Sequence, residues 1–87
     1  MKVVYKYKLD RMFNIIWMPE GAQILKFKVV DSMVTFWAEV DTDKKPIERV
    51  FHVIPTGAEI DKELWLVYHD TIRFERTGLV YHIYEEV

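Results

Sequence analysis

The chain has 87 residues, of which 51% are hydrophobic, 15% aromatic and 30% charged, with no cysteine, three glycines and three prolines. This composition excludes a disordered chain, a disulfide-stapled scaffold, a cysteine-based zinc site and a glycine-rich linker. A net charge of −2 excludes a general basic field that would draw the chain onto duplex nucleic acid or anionic lipid.

Val, Ile, Thr and the aromatics make up 37 of the 87 residues, whereas Ala occurs only at 22, 38 and 58. Such a chain suits pleated strands better than helices. Apolar and polar residues alternate with period two through most of it. Residues 3–9 form the first expected strand, with Val3, Tyr5, Tyr7 and Leu9 on one face and Lys6 and Lys8 on the other. Asp10 and Arg11 read as a turn. Residues 13–18 form a second strand, stopped by Pro19, and Gly21 supplies the turn that follows. In the third strand, residues 24–30, Leu25, Phe27 and Val29 are expected on one face and Lys26 and Lys28 on the other. Asp31-Ser32 is a tight hairpin turn into residues 34–41, where Val34, Phe36, Ala38 and Val40 oppose Thr35, Trp37 and Glu39. A polar loop closed by Pro46 leads to a fifth strand at 47–54. Residues 58–63 are a polar connection with room for one helical turn. Residues 64–75 read as a strand broken near Asp70, and Thr77-Gly78 turns the chain into a last strand at 79–84.

The pattern predicts one mostly β domain over residues 1–87, a small antiparallel β-sandwich or partly open barrel of six to seven strands. A domain this small buries only about 60–65% of its unfolded surface. Thirteen aromatics and four methionines are more than a small monomer hides, which predicts a homo-oligomer, a dimer or tetramer, with aromatics at the interface. The uncharged run at 12–19 is far short of the roughly 20 residues that span a bilayer, and no export signal opens the chain, so no membrane association and a cytoplasmic location are expected.

No nucleophile elbow, Walker loop or dinucleotide fingerprint is present, and the glycines at 21, 57 and 78 are too scattered to cradle a phosphate together. The only serine, Ser32, lies in a turn. His52, His69 and His82 lack the spacing of a metal site and read as separate strand histidines. The carboxylates read as turn and solvent-face residues, with Glu39 and Asp41 sharing one strand face. Trp17, Trp37 and Trp65 are expected in the core or at an interface. The basic residues are more suggestive. Lys6 with Lys8, and Lys26 with Lys28, each project two charges from one strand face, and Tyr5, Tyr7, Trp37 and Trp65 supply rings. Charges beside rings suit phosphate and base recognition, although lysines also solvate sheet faces and guard edges. The corner at Thr56-Gly57 offers a hydroxyl and backbone N–H groups that can meet an anion, or it is an ordinary turn.

Several segments together resemble a family of small uncharacterised proteins of tailed bacteriophages. They are Lys6-Tyr7, Pro19-Glu20-Gly21-Ala22-Gln23-Ile24-Leu25, Phe36-Trp37-Ala38-Glu39-Val40-Asp41, Phe51-His52-Val53-Ile54-Pro55-Thr56-Gly57, Asp70-Thr71-Ile72 and Gly78-Leu79-Val80-Tyr81-His82-Ile83-Tyr84-Glu85. Pro55 and Asp70 stand where that family pattern has glycine. The resemblance implies a phage-encoded β-rich accessory protein. It is similar in kind to anti-CBASS sponges, which sequester cyclic dinucleotides or related immune signals as homo-oligomers without chemistry or cofactor. The protein would then act in the cytoplasm of the infected host cell.

Candidate ligand residues follow from their chemistry. Lys26, Lys28, Arg73 and Arg76 suit phosphate; Trp37 and Tyr81 suit a base; and Thr56, Gly57 and Thr71 suit ribose or phosphate. The alternative is a protein-interaction module that inhibits a host protein. A small nucleotide-acting enzyme, kept open by the histidines and carboxylates, is the third reading.

Overall fold

The computed structural model describes all of residues 1–87. Seven strands form: β1 Lys2–Leu9, β2 Phe13–Pro19, β3 Gln23–Val30, β4 Met33–Asp41, β5 Pro46–Pro55, β6 Leu66–Arg73 and β7 Val80–Glu86. They make a three-stranded sheet in the order β1-β4-β3 and a four-stranded sheet in the order β2-β5-β7-β6. Every pairing is antiparallel. The two sheets stack into a slab of 40 × 32 × 16 Å, a small β-sandwich and not a closed barrel. There is no helix, hence none long and apolar enough to cross a membrane. The helical turn expected within 58–63 is absent. Two isolated turns close instead, from Ala58 N–H to Pro55 C=O and from Leu64 N–H to Asp61 C=O, each 3.1 Å.

The alternation of β4 sets the core. Val34, Phe36, Ala38 and Val40 point between the sheets and are buried. Phe36 sits at the centre, its ring 5.2 Å from Tyr7, 5.1 Å from Phe27 and 5.2 Å from Phe51. Met18, Ile72 and Ile83 close the layer from the four-stranded sheet. The β3–β4 hairpin has a two-residue turn in which Asp31 (φ 51°) and Ser32 (φ 62°) both take positive φ, the primed geometry that matches strand twist.

One face assignment is corrected. A bulge between Ile24 and Lys26 reverses the parity of β3, so Ile24 faces the core opposite Ala38 while Leu25 is 55% exposed. The tryptophans take the outer of their two expected places, none of them in the core: Trp17 and Trp65 are exposed, and Trp37 is half-buried on an outer face.

The carboxylate Glu85 also departs from its expected solvent position. It lies between the sheets on β7 and takes both forks of Arg49, Nε at 2.5 Å and Nη2 at 2.8 Å. Arg49 Nη1 reaches Ala22 C=O at 2.7 Å, so one guanidinium ties the four-stranded sheet to the link that enters β3. His69, turned inward by a second bulge between Tyr68 and Asp70, meets Glu85 Oε1 at 2.8 Å. Burial alone pushes the Glu85 carboxyl up, but the hydrogen bonds from Arg49 and His69 outweigh it and hold the group down at about 2.

Candidate functional site

Cross-strand register builds a basic patch on the outer face of the three-stranded sheet. Trp37 on the central strand β4 pairs with Lys6 of β1 on one side and Lys26 of β3 on the other. One pleat repeat along, Thr35 pairs with Lys8 and Lys28. Strand spacing places the four lysine stems at the corners of a rectangle about 10 Å by about 7 Å, with the indole between two of them. None of the four lysines forms an ion pair. Thr35 points out among them yet is fully buried, its hydroxyl donating to Met33 C=O at 3.2 Å. Long lysine stems cover apolar and small neighbours in this way while their charged heads stay in water. Glu39 and Asp41 continue the same face of β4, with Glu39 opposite Val4 and Gln23.

The arrangement can hold a phosphate between ammonium groups while a planar ring lies on the indole. The lysine patch itself is open: none of the best-formed cavities is lined by Lys6, Lys8, Lys26, Lys28 or Trp37, and the nearest, of about 210 Å³, lies along the same sheet between Gln23, Glu39 and Asp41.

Of the nine residues chosen from the sequence, the structure brings Lys26, Lys28 and Trp37 together here. The other six lie on the four-stranded sheet or its turns. Thr56 and Thr71 join an exposed chain of hydroxyls and one imidazole. Tyr68 Oη meets Thr71 Oγ1 at 2.6 Å, Thr71 Oγ1 meets His82 Nδ1 at 2.9 Å, and His82 Nε2 meets Thr56 Oγ1 at 2.8 Å. Thr56 donates its hydroxyl and its N–H to Val80 C=O. The Thr56 oxygen therefore accepts from His82 Nε2–H, and Nδ1 accepts from Thr71. Long-range ¹H–¹⁵N correlation spectra at pH 8 should show His82 as the Nε2–H tautomer; an Nδ1–H ring would contradict the chain. Gly57, at φ +90°, makes the turn beside a cavity of about 200 Å³ that His82, Ile60 and Tyr84 also line.

Arg73 packs near Gly78 and Arg76 lies in the β6–β7 turn, both without an ion-pair partner. Tyr81 is half-buried, its ring in a T-shaped pair with Phe74 at 5.2 Å. His52 pairs with Glu86 at 2.7 Å, and no group of three His, Asp or Glu side chains is placed to hold a metal ion. Lys6, Lys8 and Thr35 were outside the chosen set. The signal for them was the repeated Lys-x-Lys of two strands, which gains meaning only once both are known to flank β4.

Fold and face together define a two-layer antiparallel β domain with a basic aromatic surface on its smaller sheet. The chain belongs to the family described as a domain of unknown function, DUF7352, whose pattern matches residues 1–87. No curated protein and no solved structure matches it.

Proposed function

We propose that the protein binds a nucleotide phosphate on the outer face of the three-stranded sheet and sequesters it without transforming it. A cyclic dinucleotide or a related immune signal is the proposed ligand. The observation that carries this reading is the register that flanks Trp37 with Lys6 and Lys26, and Thr35 with Lys8 and Lys28, with none of these lysines neutralised by a carboxylate. Two phosphates suit the two lysine rows, and the indole offers a stacking face to one base. The sequence resemblance supports the wider setting, a phage anti-defence sponge acting as a homo-oligomer in the cytoplasm of an infected host cell.

The test is a panel of cyclic dinucleotides, linear nucleotides and short single-stranded oligonucleotides, read by melting temperature. A ligand at 100 times its Kd adds about 2.7 kcal/mol of stability. At about 4–8 °C per kcal/mol for a domain of this size, the midpoint should rise by about 10–20 °C. Nucleotide released by heat should be recovered unchanged. Trp37→Ala should weaken binding of the responding ligand about 5- to 150-fold, the equivalent of losing one base stack at about 1–3 kcal/mol. Absence of a shift with every member, or turnover of the ligand, would end this reading.

The second reading, a module that inhibits a host protein, draws on the apolar side chains that the four-stranded sheet leaves in solvent, such as Val67 and Tyr68. It is favoured if the protein forms a stoichiometric complex with one host enzyme and lowers that enzyme's activity while no nucleotide shifts its melting.

A further inference from the structure

A two-sheet sandwich has four edge strands, and here three of them carry devices that block pairing with another chain. Edge β1 bears Lys2, Lys6 and Lys8. Edge β3 bears Lys26, Lys28 and the bulge after Ile24. Edge β6 bears the bulge at Tyr68/Asp70 together with Asp70 and Arg73. Lysines, inserted charges and bulges are how proteins keep sheet edges from joining. Edge β2 has none of them over residues 13–18, and its one edge-blunting residue, Pro19, stands only at the strand's end. Its sequence Phe13-Asn14-Ile15-Ile16-Trp17-Met18-Pro19 is uncharged, and it stays in unbroken register with β5 over its whole length.

The free groups of this edge are well defined. Val53 N–H donates to Met12 C=O at 2.8 Å and Glu20 N–H to Lys45 C=O at 2.8 Å. With the β2–β5 register, this directs the backbone groups of even-numbered β2 residues toward β5. Phe13, Ile15 and Trp17 therefore turn their N–H and C=O outward from the sheet edge. The same three side chains stand on the outer face, 50%, 49% and 59% exposed.

We infer that β2 is a self-pairing edge, and that two copies of this chain join antiparallel through it across a two-fold axis at Ile15. Ile15 then faces its own copy, and Phe13 faces Trp17 of the second copy on each side of the axis. The three outward donors of each strand meet the three outward acceptors of the other, and the four-stranded sheets merge into one. An uncharged strand is what a two-fold permits, because a charged residue on the axis would meet its own charge. Facing aromatic pairs add to the backbone bonds. This deepens the homo-oligomer expectation by naming its surface. It does not rest on the nucleotide reading, since the lysine patch lies on the other sheet.

The absence of cysteine allows a direct test. Sedimentation of the wild-type chain at about 100 μM should give twice the monomer mass of 10.5 kDa. Ile15→Lys, which sets two like charges face to face on the axis, should give the monomer. Ile15→Cys should cross-link under mild oxidation into one dimer band, because facing residues lie within the span a disulfide bridges. Leu25→Cys, equally exposed on the other sheet, should not. A wild-type monomer at 100 μM overturns the inference and leaves the edge to a different partner. So does a dimer that survives Ile15→Lys, or cross-linking that is no faster at Ile15 than at Leu25. The nucleotide titrations are read separately, so either proposal can fail alone.

Discussion

Glu85→Gln is expected to lower the melting midpoint by about 12 °C or more. The substitution keeps the shape of the side chain but strips the charge that Arg49 and His69 both address. Arg49 is then left between the sheets with a neutral amide, and breaking a buried pair from one side costs about 3–5 kcal/mol. For a domain whose total stability is on the order of 5–15 kcal/mol, that is a large share. Each kcal/mol is worth about 4–8 °C here. Replacing both partners, Arg49→Met with Glu85→Leu, should recover much of the loss, since no uncompensated charge remains. A fall of less than about 4 °C in the single variant would show that the network does not hold the sheets together.

The same network sets a pH dependence. Glu85 is held at about 2 against an ordinary value of 4.5. Its folded value is depressed, so its contribution is fully present above about pH 4.5 and is lost as pH falls toward 2. The difference corresponds to about 3 kcal/mol. Wild-type stability should therefore drop steeply across that window, and Glu85→Gln should flatten the slope there.

Lys26→Glu combined with Lys28→Glu is expected to weaken nucleotide binding about 30-fold or more while moving the melting midpoint by less than about 4 °C. Both lysines are exposed and unpaired, so their reversal leaves the fold nearly untouched. Two charge contacts at about 1 kcal/mol each correspond to the 30-fold loss, and the introduced carboxylates add repulsion. Raising salt should weaken wild-type binding in the same direction. A loss below about threefold would place the ligand somewhere else.

Much of the fold was legible in the sequence because burial on one face of a strand writes itself as period-two alternation. Val34-Phe36-Ala38-Val40 shows this, and the hairpin turn at Asp31-Ser32 was equally plain. Bulges defeat such reading, since one inserted residue reverses the assignments on one side of it. Leu25 was expected inside and Ile24 took its place. Which strands share a sheet was also hidden, and the patch depends on it. The two Lys-x-Lys pairs are 20 residues apart in sequence and meet only because β4 lies between their strands. Six of the nine candidate ligand residues have no partner in the sequence pattern that ties them to one another, and the structure distributes them over the other sheet and its turns. The Arg49–Glu85 pair leaves a sharper trace in the sequence. Arg49 shares the apolar face of Ile47, Phe51 and Val53, and Glu85 shares that of Tyr81 and Ile83. Opposite charges on two inward faces predict a buried pair, because neither tolerates that position alone.

The most direct test of the account is where a nucleotide lands. A ¹H–¹⁵N titration with the ligand that gives the largest melting shift should move the Trp37 indole N–H and the amides of β1, β4 and β3 around Lys6, Lys8, Lys26 and Lys28. The four-stranded sheet should stay still. Saturable shifts confined to the cavity beside Thr56 and His82, or no shifts with any nucleotide, would contradict it.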